Sequence, residues 1–287
     1  MIDDLARMLI DRQHEVRILT MTPESAVEQG SRVPSLPTPS TESLRAVRVP
    51  SLRVPMMGVP ISPLLPKRLR EDLVTWSPDV VHVHASIASA GALAGGWAAH
   101  SLGLPVVVTF HSTLGGYGWV YKLSHALTRW GSWPKVVAGV SPMVANGVSR
   151  VLNRPTTVLP NGVDIGWWGA EHSISVPENN CTKFVTVQRL KHRKRGSALL
   201  EVVAAAKRHI PDGHTLKITF VGDGPRRSSL EKQASRLGIE AEFLGAIPRK
   251  AIRQVLRDSD VFILPSTREA FGLSALEARA VGLPVVA

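Results

Sequence analysis

Short runs of branched aliphatic residues recur along this chain, and nearly every gap between them is the length of one helix. Residues 80–84, 105–110, 136–140, 184–187, 216–221, 241–244, 261–264 and 284–286 are such runs. Each is strand-sized and rich in valine, isoleucine or phenylalanine. Helical stretches at 64–76, 85–102, 142–152, 196–209, 228–237, 250–258 and 273–281 lie between them. A strand returning through a helix to its own sheet runs parallel to its predecessor and is buried on both faces. The pattern therefore predicts an α/β fold with doubly wound parallel sheets.

The periodicity fails in two places. Residues 33–66 carry eight prolines, which predicts an irregular segment or an edge strand. Residues 162–182 mix Trp, Gly, Glu and Asn without a period, which places a linker at 164–182 between domains at 1–163 and 183–287. At the start, a helix with an apolar face of Ile2, Leu5, Met8 and Leu9 leads into a strand at 16–20. A parallel sheet wants a strand before that helix. The last strand, 284–286, has no covering element after it. Both domains are thus expected to be incomplete at the chain termini, and the chain to be marginally stable.

Apolar residues make up 44% of the 287 and charged residues 20%, a globular balance. One cysteine, Cys181, excludes a disulfide framework within the chain. The net charge of +11 asks for an anionic partner: nucleic acid, anionic lipid or nucleotide phosphate. No signal peptide is visible, and no apolar run approaches the roughly 20 residues that cross a bilayer. The expected location is cytoplasmic, with peripheral contact at the inner face of the membrane.

Four stretches carry candidate chemistry. Glu269-Ala270-Phe271-Gly272-Leu273-Ser274-Ala275-Leu276-Glu277 follows a strand and opens a helix. Its first turn would present free N–H groups, and both carboxylates accept hydrogen bonds from hydroxyls. Gln188-Arg189-Leu190-Lys191-His192-Arg193-Lys194-Arg195-Gly196 also follows a strand, and loops there face the ligand crevice of a parallel sheet. Cations in that place suit a pyrophosphate. Gly222-Asp223-Gly224-Pro225 follows another strand and by itself reads as a turn. His111 follows residues 105–110 and suits hydrogen bonding or acid–base work. His82 and His84 alternate with valines as packed residues would, and no metal-ligand spacing is present.

Taken together, these pieces resemble the large GT-B glycosyltransferase family 4. The matching landmarks are Asp79-Val80-Val81-His82-Val83-His84, Thr109-Phe110-His111, Gly139-Val140-Ser141 and Leu159-Pro160-Asn161-Gly162-Val163-Asp164. In the second half they are Gln188-Arg189-Leu190, Val221-Gly222-Asp223-Gly224-Pro225, Phe243-Leu244-Gly245 and the Glu269/Glu277 pair. The resemblance implies two Rossmann-like domains and a retaining transfer from a nucleoside-diphosphate sugar to a hydroxyl acceptor, lipid-linked in many relatives. It implies no metal and no cofactor beyond the donor itself. Arg189 and Arg195 would grip the diphosphate, with Gly222 in the donor loop. Glu277 would hold the ribose, and Ile247 would lie by the base. Glu269, with the Phe271, Gly272 and Leu273 amides, would hold the sugar, and His111 would reach it near the reacting carbon. Two departures stand out: Gln188 where the family has Gly, and Arg195, preceded by Lys194, where the family has Lys before Gly196.

Two other readings stay open on sequence alone. One is a basic nucleic-acid-binding protein, which would cluster Lys and Arg with aromatics on one surface. The other is a non-catalytic remnant. A separate feature bears on membranes: Trp119, Val120, Leu123, Leu127 and Trp130 recur at helical spacing, with Lys122, His125 and Arg129 on the other side. Packing on the domain's own sheet would demand the same spacing.

Overall fold

A computed structural model describes residues 2–20, 44–48, 52–53, 60–61, 65–86, 90–169 and 180–287. Residues 170–179 of the expected linker and most of the proline-rich segment lie outside the described residues. The chain divides into two compact units, one running to Asn161 and the other starting at Gly162.

In the first unit, helix α1 (Ile2–Ile10) leads into β1 (Val16–Thr20), which pairs in parallel with β2 (Leu44–Arg48). The expected apolar face of α1 is not what it buries. Ala6 is buried, whereas Ile2, Leu5 and Met8 stay exposed. Among the described elements, α1 packs on the narrow β1–β2 pair, which covers one small residue and little more. Strands β3 (Leu52–Arg53) and β4 (Pro60–Ile61) form a short antiparallel pair.

The main sheet of this unit is β5 (Val81–Ala85), β6 (Val106–Phe110), β7 (Val136–Gly139) and β8 (Thr157–Val158), parallel and in sequence order. Helices α2 (Leu65–Trp76) and α3 (Ala90–Ser101) pack on each other, as do α4 (Gly118–Thr128) and α5 (Pro142–Leu152). The Gly139-Val140-Ser141 landmark has a local cause. Ser141 Oγ accepts from Val144 N at 3.4 Å and caps α5, with Pro142 in the first turn. A Cβ on Gly139 would lie 2.4 Å from Ala145 N, so only glycine lets α5 start this close to β7. Phe110 is fully buried, with the rings of Tyr121 and Trp130 about it at 6.0 Å.

The second unit begins with the short helix α6 (Ile165–Gly169), inside the stretch read as linker, and its Trp168 is fully buried. Its sheet contains β9 (Cys181–Val187), β10 (Thr215–Val221), β11 (Glu240–Gly245), β12 (Val261–Ile263) and β13 (Val285–Val286). All pairings are parallel, in the order β11-β10-β9-β12-β13. Helices α7 (Gly196–Ala206), α8 (Arg227–Arg236), α9 (Arg249–Arg257) and α10 (Leu273–Val281) connect successive strands. One core joins Leu199, Leu200 and Val203 of α7 and Leu230 of α8 to Ile218 and Phe220. The other joins Trp168, Leu256 of α9 and Ala278 and Val281 of α10 to Val185 and Phe262. The chain is thus wound in opposite directions from β9, and the order reverses between β9 and β12. In such sheets ligands bind outside the carboxyl ends of the strands at that reversal.

Candidate functional site

Because all five strands of the second unit are parallel, their carboxyl ends open along one edge. A cleft of about 480 Å³ lies there. Its lining includes Arg189 after β9, Gly222 and Asp223 after β10, Ile247 from the β11–α9 connection and Ile252 of α9. The structure therefore brings together Arg189, Gly222 and Ile247.

The walls are held by backbone. Gln188 N donates to Val221 O at 2.9 Å, Leu190 N to Asp223 O at 2.9 Å, and Gly222 N to Gly245 O at 2.7 Å. A Cβ on Gly222 would stand 2.1 Å from Gln188 O, and its φ of 120° is one that side chains avoid. The Gly222-Asp223-Gly224 segment is therefore more than the plain turn its composition suggests. Gln188 is buried, and neither its Oε1 nor its Nε2 has a hydrogen-bond partner among the described residues.

In the basic loop the structure separates Arg195 from its neighbour. Residues His192–Lys194 form a single 3₁₀ turn, and Arg195 follows in the left-handed conformation with φ 54°. Arg195 is exposed and is not among the residues lining the cleft. Its neighbour Lys194 is half-buried and donates through Nζ to Glu269 Oε2. That pair ties the loop after β9 to the loop after β12, across the point where the strand order reverses. Sequence reasoning noted Lys194 only as a neighbour of Arg195.

The acidic segment falls as its spacing predicts. Gly272, with φ 80°, caps α10, which starts at Leu273. Phe271, Gly272 and Leu273 are half-buried at this helix start, and Glu277 lies just over one turn inside. The free N–H groups of the first turn favour an anionic or oxygen-rich ligand.

In the first unit, register places His84 opposite Thr109, with His111 just past the end of β6. His84 Nδ1 lies 2.9 Å from His111 Nε2, and His82 Nε2 lies 2.8 Å from Thr109 Oγ1. The rings of His82 and His84 are 4.2 Å apart. Burial, with His82 and His111 close by, pushes His84 down to about 3. Burial and His82 also lower His111. The Asn161 side chain opposes that shift without closing a full hydrogen bond to His111 Nδ1, which has no partner among the described residues. The three imidazoles lie tilted against one another, and burial disfavours the charged form of each. The valine alternation reading of His82 and His84 missed this because the partners are 27 residues away. Among the described residues no group of three or more His, Cys, Asp or Glu could hold a metal ion.

Two parallel Rossmann-like units, one with a glycine-walled cleft at the carboxyl ends of β9, β10 and β11, define a GT-B glycosyltransferase fold. The chain belongs to glycosyltransferase family 4: the sequence model of that family matches residues 1–167, and the model for glycosyl transferases group 1 matches residues 170–287. It is 29% identical to glycogen synthase of Mycobacterium tuberculosis over 229 residues, 74% of this chain and 52% of that protein. It is 25% identical to phosphatidyl-myo-inositol mannosyltransferase of Mycobacterium leprae over 287 residues, 99% of this chain and 72% of that protein. The crystal structure of Anabaena HepE in complex with UDP is similar with a TM-score of 0.69 at 20% identity, covering 99% of this chain and 76% of that one. The chain spans about half the length of the first curated relatives it matches.

Proposed function

We propose that this chain binds a nucleoside-diphosphate sugar in its second unit and serves a retaining, metal-independent transfer of a hexose to a hydroxyl acceptor. The observation that carries the reading is the meeting of Lys194 and Glu269 across the switch point, beside a cleft walled by Arg189 and the Gly222 backbone. Arg189 and Lys194 offset the charge of the departing diphosphate, the work a metal ion does elsewhere. Glu269 and Glu277 accept hydrogen bonds from sugar and ribose hydroxyls, with the Phe271–Leu273 amides beside them. Ile247 gives the base an apolar wall. The neutral imidazole of His111 is suited to a sugar hydroxyl. The C1–O bond to the diphosphate breaks, the acceptor oxygen bonds to C1, and its proton leaves with the diphosphate.

Structures of HepE with UDP and with UDP-glucose make a uridine diphosphate sugar the first donor to test. The name of the Mycobacterium leprae relative makes a lipid hydroxyl the first acceptor class, met by a cytoplasmic protein at the membrane's inner face. Isothermal titration with UDP, GDP and short oligonucleotides tests the core of the reading, with EDTA present and absent. Saturable binding of one diphosphate, unchanged by EDTA, is expected. Oligonucleotide binding with no heat from either diphosphate would overturn it.

A further inference from the structure

The structure separates the two sides of α4. Tyr121 turns inward against Phe110, and its hydroxyl donates to Ser86 O at 2.7 Å. Trp130, counted in the sequence with the apolar stripe, is also buried, and its Nε1 donates to Ser124 Oγ at 3.0 Å. The sheet-facing side of the helix is therefore supplied by Tyr121, with Trp130 just beyond its end. Trp119, Leu123 and Leu127 are not used by it: they are 68%, 53% and 76% exposed, one turn apart on the outer side. Val120 and Tyr117 extend the same apolar surface. Packing on the domain's own sheet thus explains Tyr121 and leaves the outer stripe unexplained.

Charge identifies the partner. Lys122 and Arg129 are exposed on and just past this helix. Residues 80–163 contain five Lys or Arg and not one Asp or Glu, although the preceding 79 residues hold ten acids. A protein segment or a second copy could meet Lys122 and Arg129 with a few carboxylates of its own, but gives no reason for acids to be absent from the whole of residues 80–163. An anionic bilayer does: it repels carboxylates, attracts Lys and Arg, and takes Trp and Tyr at its headgroup level with Leu below. Nucleic acid would share the charge and stack on Trp119, but gains nothing from Val120, Leu123 and Leu127.

We propose that the outer face of α4, built on Trp119, Leu123 and Leu127 with Lys122 and Arg129, is the surface by which this protein lies on an anionic membrane. No described helix is long and apolar enough to cross one, so the contact is in the interface plane. This deepens the peripheral contact proposed above and does not depend on donor binding.

The test is cosedimentation of the whole chain with phosphatidylcholine vesicles, with and without phosphatidylglycerol, at low and high salt. Binding to the anionic vesicles at low salt is expected, weakened by salt and lost on neutral vesicles. The double variant Leu123→Glu/Leu127→Glu is expected to reduce partitioning at least about tenfold. Its melting temperature and UDP affinity stay those of the parent, because both side chains are exposed. Lys122→Glu/Arg129→Glu removes the salt-sensitive part. The proposal is overturned if the parent ignores anionic vesicles, if the leucine variant binds them equally, or if that variant melts lower. A lower melt would show the stripe packed against protein. Binding of an oligonucleotide in place of anionic vesicles would also overturn it.

Discussion

Gly222→Ala is the substitution whose cost can be worked from the geometry. The new Cβ would sit 2.1 Å from Gln188 O. Carbon–oxygen contacts settle at about 3.3 Å or more, so roughly 1.2 Å must be found. Neither side can yield freely, because Gln188 N and Leu190 N are bonded across this seam and Gly222 N is held to Gly245 O on the other side. Backbone strain at φ 120° costs on the order of 1–3 kcal/mol, and the overpacking a similar amount. The sum, about 2–6 kcal/mol, is a large part of the roughly 5–15 kcal/mol that holds a domain folded. Gly213→Ala is the control: its φ is 81°, but no atom lies within 4 Å of the added Cβ, so about 1 kcal/mol of strain is all it meets. Denaturant unfolding gives both stabilities, and titration with UDP gives both affinities. Gly222→Ala should lose stability and UDP binding together, and Gly213→Ala should keep UDP binding. Equal destabilisation by the two would refute the argument that the seam is rigid.

Four further outcomes are expected. Lys194→Ala and Arg189→Ala should each weaken UDP far more than uridine, whereas Arg195→Ala should change UDP little; a larger loss at Arg195 in parallel titrations would restore the sequence assignment. Glu277→Ala should cost about 1.5–3 kcal/mol of nucleotide binding and less in fold stability, read by titration and thermal melts. Gln188→Met should raise stability by about 1 kcal/mol, since it replaces a buried amide that has no partner among the described residues with an apolar chain of similar volume; a fall would reveal a partner for that amide. His84 binds its proton near 3 when folded and near 6.5 when unfolded, so the unfolded state takes up more protons between those values. Folding free energy should then fall as pH drops below about 6.5, by on the order of 1 kcal/mol at pH 5 after solvent screening, and less in His84→Phe; pH-dependent unfolding curves decide this.

What the sequence displayed well was whatever depends on neighbours in the chain. The aliphatic runs marked the strands, because a strand buried on both faces has no other way to read. Glu269, Gly272 and Glu277 were legible as a helix start with one carboxylate before it and one inside it, because helix spacing is fixed. What it hid depends on direction. From Arg189 to Arg195 nearly every side chain is basic, so charge could not say which cation turns inward; one 3₁₀ turn and the left-handed Arg195 decide for Lys194. His84 and His111 meet through the register of β5 on β6, which no local pattern encodes. In α4 apolar residues occupy both sides, so a period of 3.6 could not choose between Tyr121 and Trp119 as the side facing the sheet.

The Lys194–Glu269 pair also accounts for how two charges are kept partly out of water. A half-buried cation or carboxylate alone would be costly, whereas together each supplies the other's missing partner. A nucleoside-diphosphate sugar carries both replacements in one molecule. Its diphosphate offers the lysine an anion with more charge than a carboxylate, and its hydroxyls offer the glutamate donors. Either half alone would open the pair and leave one charge uncompensated. If these residues hold the donor as proposed, UDP alone would satisfy Lys194 and leave Glu269 uncompensated, and a free sugar would do the reverse. On that proposal the intact donor should bind more tightly than either fragment, through residues that the switch-point topology brings together from loops 75 positions apart in the chain.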